Sequence, residues 1–187
     1  TGRSVTALSD AGGDHVLVVN AGSSSVKLAV LDPASGRRAL TGLAERSHLM
    51  SADITLETHI RDVVNVFRWE DIEHATLVAH SYGGWVVSGA VERLEGRVAA
   101  LAYVDAFVPE DGQRGYDLLN AAQKAQVEEA RARGEASRAG PTSAALRIQR
   151  AEDAAWVDAH ITQQPLGVSM DTVQLTGARE RVPLKLY

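Results

Sequence analysis

The sequence predicts an α/β fold, a largely parallel sheet covered by helices, on three observations. Ala75–Ala79 and Val98–Val104 are short apolar runs of strand length. Val86–Leu94, between them, has the length and composition of a helix. Strand, helix and strand at this spacing form the unit of a right-handed parallel crossover.

The other elements follow in order. Thr1–Asp14 is rich in Gly, Ser and Asp without an apolar period, and reads as a loose leader. Val16–Val19 and Val26–Leu31 have strand patterns, joined by the small polar stretch Asn20–Ser25. They predict a β-hairpin within residues 15–40, with Pro33–Gly36 as the next turn. From Ser51 onward Ile54, Leu56, Ile60, Val63, Val64 and Phe67 recur at helical spacing, with Ser51 or Asp53 as the expected cap. After Pro109 the chain turns polar. Tyr116–Arg133 reads as helix, Gly134–Thr142 as a joint, and Ala151–His160 as a further helix stopped before Pro165. Val173–Leu175 and Leu184–Tyr187 are candidate strand fragments.

Composition narrows the function. The 187 residues are 45% hydrophobic and 23% charged, the values of a globular chain with a real core. A net charge of −5 leaves no basic footprint for nucleic acid. With no cysteine, a disulfide scaffold, a thiolate metal site and a cysteine nucleophile are all excluded. The longest apolar runs fall far short of the roughly 20 residues of a membrane span. No basic flank and apolar segment open the chain, so a cytoplasmic protein without membrane or nucleic-acid partners is expected.

The segment that carries chemistry is Leu77-Val78-Ala79-His80-Ser81-Tyr82-Gly83-Gly84, where a strand turns directly into a helix. It has the pattern of a nucleophile elbow with alanine in the first glycine position, Ala79-x-Ser81-x-Gly83. Residues two before and two after such a serine must be small for the backbone to pass. The hydroxyl then projects above the sheet, and the backbone N–H of Tyr82 is available as an oxyanion donor. His80 flanks the serine, although alternation along the strand points it to the other face.

Further segments in order are Thr41–Leu49, Val66–Glu70, the elbow, and Tyr103-Val104-Asp105-Ala106-Phe107-Val108-Pro109-Glu110-Asp111-Gly112. Together they resemble the α/β-hydrolase branch of small esterases, plant methyl-ester esterases and hydroxynitrile lyases. Ala155–Asp158 with Gln164–Leu166 is similar to the end of that family's cap. Leu175–Ala178 with Arg181–Pro183 is similar to the approach to its next core strand. The resemblance implies a hydrolase core over 41–108, a helical cap over 109–170, and the start of the next core strand over 171–187. It implies Ser81 as nucleophile of a carboxylic-ester hydrolase, a small ester or carboxylic acid as ligand, and no cofactor or metal.

His80, Trp85, Phe107 and Trp156 are the candidate binding residues. The family's acid and histidine lie past the strand that Leu184–Tyr187 begins, so an incomplete fold with weak or absent turnover is expected. Within the chain the remaining candidates are Asp105, at the end of the strand after the elbow helix, and His160, inside the cap; His48 lies in a loop that can approach the site. A non-catalytic small-ligand-binding module is the alternative.

The front of the chain differs. Val16–Lys27 is closely similar to the N-terminal hairpin of acetate kinases, in which this loop lines a phosphate and metal site. Carried over, the phosphate-binding positions are Asn20, Ser23, Ser25 and Lys27. Backbone N–H groups, hydroxyls and a cation make a plausible cradle for phosphate. Gly42–Arg46 is compatible with both families, so the chain reads as a kinase-like hairpin joined there to an esterase-like body.

Overall fold

The structure is a computed structural model that describes residues 15–21, 26–32, 35, 38–44, 54–94 and 96–187. Its centre is a six-stranded sheet of β1 (His15–Ala21), β2 (Val26–Leu31), β3 (Arg38–Ala44), β4 (Ala75–Ser81), β5 (Val98–Ala106) and β8 (Leu184–Leu186). The two remaining strands, β6 (Ser137–Arg138) and β7 (Gln164–Pro165), form a small antiparallel ladder of their own. The order in the large sheet is β3-β2-β1-β4-β5-β8. Strands β1, β4, β5 and β8 run parallel, and β2 and β3 pair antiparallel at one side.

The expected hairpin is present, and its first strand is also part of the parallel sheet. Leu17 pairs with Leu77 and Asn20 with His80, so β1 ends level with the elbow. β3 is not foreshadowed by alternation. Its sequence mixes Arg38, Thr41 and Gly42 with apolar residues, and β2 supplies the edge that makes it a strand.

Helix α1 (Leu56–Trp69) buries Leu56, His59, Ile60, Val63 and Phe67. It starts later than the sequence predicts. Thr55 is the cap, its N–H donating to Thr58 Oγ1 at 3.2 Å, whereas Ser51 and Asp53 lie outside the described residues. Glu57 in the first turn and Arg68 in the last suit the helix dipole. Glu57 also receives both Arg93 guanidinium arms, at 2.7 and 2.6 Å, which ties α1 to the chain leaving helix α2 (Gly83–Val91). Both partners are well exposed, so the pair contributes at most about 1 kcal/mol. Every residue of α2 is buried. One face of the sheet, Leu17, Val19, Leu77 and Ala79, packs with Phe67, Trp85 and Val86 into the main core.

The insert between β5 and β8 has its own small core of Val127, Ala130 and Leu166, flanked by Tyr116, Leu119 and Met170. The helix expected over Tyr116–Arg133 divides into a 3₁₀ turn, Gly115–Leu118, and α3 (Ala121–Ala132). Asn120 causes the break. Its side chain accepts the Gln123 N–H at 2.9 Å while Gln123 accepts the Asn120 N–H at 3.0 Å, a reciprocal cap that begins a new helix. Helix α4 (Ala151–His160) has the predicted bounds. Two single-turn helices, α5 (Gly167–Met170) and α6 (Ala178–Arg181), complete the chain's elements.

Val173–Leu175 forms no strand. It lies beside the loop after β5: Gly112 N–H donates to the Val173 carbonyl at 2.9 Å and Val173 N–H to that of Gln113 at 3.0 Å. Leu175 N–H donates to the Asp111 carboxylate at 2.8 Å, and Arg114 bridges Thr172. Arg179 donates to the Pro109 carbonyl at 2.8 Å. The chain entering the insert and the chain leaving it are therefore joined in a hydrogen-bonded neck. No helix of the described residues is long and apolar enough to cross a membrane.

Two glycines of α2 are opposite in character. A Cβ at Gly84 would overlap the Phe107 backbone carbonyl, whereas one at Gly89 would meet the movable Ile60 Cδ1. Gly84→Ala is expected to destabilise by about 1–3 kcal/mol through overpacking against backbone. Gly89→Ala, offset by roughly 0.5–1 kcal/mol of helix propensity, is expected to stay close to wild type. Urea unfolding of the two variants compares them; equal losses would contradict the distinction.

Candidate active site

The elbow is built by the demand that β4 become α2 within one residue. Ser81 sits at φ +51°, a conformation rare for a residue with a side chain. Such strain is of order 1–3 kcal/mol and persists only where the surroundings fix it. Phe107 N–H holds the Ser81 carbonyl at 3.1 Å, and Gly84 lets α2 lie against that same Phe107 backbone. Ser81 itself is half-buried. Tyr82 caps α2, and the first N–H groups of a helix have no partner within it. The Tyr82 N–H therefore has no partner within α2.

Tyr82 also reaches into the protein. Its phenol oxygen lies 3.2 Å from His59 Nδ1, and the two rings meet edge-on with centroids 5.9 Å apart. His59 is 6% exposed, and burial pushes its pKa down to about 4. The Tyr82 phenol is pushed well up, first by burial and then by the Asp171 charge. Both groups are neutral near pH 7. Sequence reasoning did not single out His59. The available signal was a titratable residue lying between Leu56, Ile60 and Val63 on the apolar stripe of α1.

Around the elbow, β5 brings Asp105 beside the serine, since Ser81 pairs with Ala106. Asp105 is exposed and has φ +45°. Trp85 is 2% exposed, and its ring centroid lies 6.5 Å from that of Phe107. Val104, Phe107 and Val108 leave an exposed apolar surface at this end of β5. His80 is exposed on β4, where alternation sets it on the face opposite Ala79.

The β1–β2 pair adds Asn20 to this end of the sheet, next to His80 on one side and opposite Lys27 on the other. Ser23, Ser25 and His48 lie outside the described residues. Trp156 and His160 are not brought to the elbow by any described contact. They stack on each other along α4, centroids 4.4 Å apart, with His160 Nδ1 2.7 Å from the Trp156 carbonyl oxygen. No group of three or more metal-ligating side chains occurs among the described residues.

Parallel strands flanked by helices, with a serine strained at the strand-to-helix turn, define the α/β-hydrolase class of fold. Residues 4–186 match the family model described as "Alpha/beta hydrolase family", and the chain belongs to that family. It is similar to the carbendazim hydrolyzing esterase of Nocardioides sp. (strain SG-4G), 42% identical over 97 residues that cover 50% of this chain and 40% of that protein. A 39-residue stretch is 59% identical to the acetate kinase of Erwinia tasmaniensis, covering 21% of this chain and 10% of the kinase. The chain thus spans less than half the length of these relatives. Among solved structures, an extracellular α/β-hydrolase from a Paenibacillus species, described as homologous to Tobacco Salicylic Acid Binding Protein 2, shares the fold at TM-score 0.66 and 21% identity. That match covers 79% of this chain and 62% of the other.

Burial of His59 gives the fold a pH dependence. Its pKa is near 4 in the folded chain against an ordinary 6.5, so the unfolded chain takes up the proton first. The stability is complete above about pH 6.5 and is lost as the pH falls toward 4, by on the order of 3 kcal/mol in all. Denaturant midpoints across pH 4–7 should show this slope, and His59→Gln should flatten it; an unchanged slope in His59→Gln would assign it to other groups.

Proposed function

We propose that this protein has the chemistry of a carboxylic-ester hydrolase, with Ser81 as the nucleophile that forms an acyl-enzyme. The observation that carries the reading is the positive φ of Ser81 between a parallel strand and a buried helix. In the acylation step Ser81 Oγ attacks the ester carbonyl carbon and loses its proton to a base. The carbonyl oxygen takes up negative charge facing the Tyr82 N–H; as the carbonyl re-forms, the C–O bond to the leaving group breaks and that oxygen takes the proton back from the base, leaving as the alcohol. Water then repeats the attack and releases the acid. The apolar surface of Val104, Phe107 and Val108, with the Trp85–Phe107 pair beside it, suits a small ester with an apolar group. The esterase activity in the name of the Nocardioides relative agrees with this substrate class.

The base is the weak part of the arrangement. Among the described residues, His59 Nδ1 is engaged by the Tyr82 phenol and His160 Nδ1 by the Trp156 carbonyl, so neither Nδ1 serves Ser81 in this arrangement. Asp105 is the acid nearest in register. A serine hydrolase that loses its base falls by about 10⁶ in kcat, leaving roughly 10³–10⁴ over water from binding and the oxyanion hole. Slow acylation and slower turnover are therefore expected. A fluorophosphonate probe should label wild type and not Ser81→Ala, and p-nitrophenyl acetate should show slow release that the substitution abolishes. Equal labelling of both proteins would remove Ser81 from the chemistry.

A second reading is phosphate binding at the Asn20–Lys27 segment. It is favoured by the pairing that sets Asn20 between Lys27 and His80 at the end of the sheet that bears Ser81. Isothermal titration with inorganic phosphate should then show binding that Lys27→Ala weakens by about tenfold, the loss of one charge-assisted contact. No heat of binding in wild type would end this reading.

A further inference from the structure

Building on Ser81 as nucleophile, we infer that His59 is a positioning residue for the oxyanion donor: by holding the Tyr82 phenol, it fixes the peptide unit whose N–H faces the substrate oxygen. The geometry has three parts. The Ser81–Tyr82 peptide follows a residue at φ +51°, so without restraint it would relax toward the ordinary backbone regions. On the serine side the restraint is Phe107 N–H on the Ser81 carbonyl, at 3.1 Å. On the donor side it is the Tyr82 side chain, whose phenol oxygen sits 3.2 Å from His59 Nδ1 with the rings edge to face. The Phe107 bond sets the orientation of this planar unit and the phenol contact holds its Tyr82 end: displacing that end away from α1 would carry the Tyr82 Cα, and with it the phenol, off the imidazole.

His59 is a firm anchor because α1 itself is fixed. Phe67 and Val63 are fully buried, and Glu57 is held by both arms of Arg93. Tertiary structure thus supplies what the elbow's local sequence does not, a contact between residues 23 positions apart. An oxyanion donor must stay within a few tenths of an ångström of its working position, so loosening it acts on the transition state more than on substrate binding.

Tyr82→Phe removes the hydroxyl and keeps the ring. His59→Leu removes the anchor, and His59→Gln keeps a hydrogen-bonding group at the same reach. The rate at which a fluorophosphonate modifies Ser81 is separated into binding and maximal rate. The expected result is a maximal rate lowered about tenfold in Tyr82→Phe and His59→Leu with binding unchanged, and recovery in His59→Gln to within about threefold of wild type. A wild-type maximal rate in Tyr82→Phe, or a loss confined to binding, overturns the inference.

Amide hydrogen exchange at residue 107, whose N–H donates to the Ser81 carbonyl of the same peptide unit, provides a readout independent of reactivity. Protection lost by at least about tenfold in Tyr82→Phe, with Ala79 unchanged, supports the anchor; unchanged protection at residue 107 overturns it. If wild type is not labelled at all, the nucleophile reading fails, and the exchange result alone decides whether His59 pins the peptide. Should His59→Leu not fold, Tyr82→Phe decides by the same two measurements.

Discussion

The turn from β4 into α2 at Ser81 constrains the rest of the molecule. A strand that becomes a helix within one residue brings the helix almost onto the neighbouring strand's end, and the Phe107 carbonyl occupies the space where a Gly84 Cβ would be. That approach requires glycine at 84, a wholly buried α2, and a chain that runs on past the end of β5 to supply the Phe107 N–H. Helix α1 then covers the same sheet face and reaches the elbow through His59. The core and the site are one packing problem: Trp85 is at once among the largest buried side chains and the neighbour of Phe107 at the exposed end of β5.

Much of this was legible from local pattern. The strands at 75–81 and 98–106 and the helix between them announce themselves by apolar runs, because buried parallel strands need apolar residues on both faces. The elbow was legible because its small residues are a steric requirement visible in the sequence. β3 was not, since an edge strand takes its order from β2 and its own residues carry no alternation. Val173–Leu175 misled for the converse reason: it has strand-like residues, but its partner is a loop that uses the Asp111 carboxylate as an acceptor. His59 was illegible as part of the site because its partner, Tyr82, comes from a different element.

The two sequence resemblances meet at one place. The kinase-like hairpin contributes β1, which lies directly beside β4, so Asn20 and His80 are neighbours across strands. Strands about 4.8 Å apart put the end of β1 at the same sheet end as Ser81. A segment similar to one family thus adjoins the elbow of the other, and the sheet register couples them: a one-residue slip of β1 would exchange the faces of Leu17 and Val18 and expose apolar side chains meant for the core.

The neck between Asp111–Arg114 and Thr172–Leu175 has a consequence for how this protein can change. Because the chain enters and leaves the insert side by side, the two crossing points close its loop at the base, while Gly167 seats the insert a second time, against the Ile54 carbonyl. The cost of such a loop grows only slowly with its length, by about 0.6 kcal/mol for each doubling. The stretch between the neck and Gly167 can therefore change in length while the sheet keeps its register, with the neck and the Gly167 seat as the fixed points around which it varies.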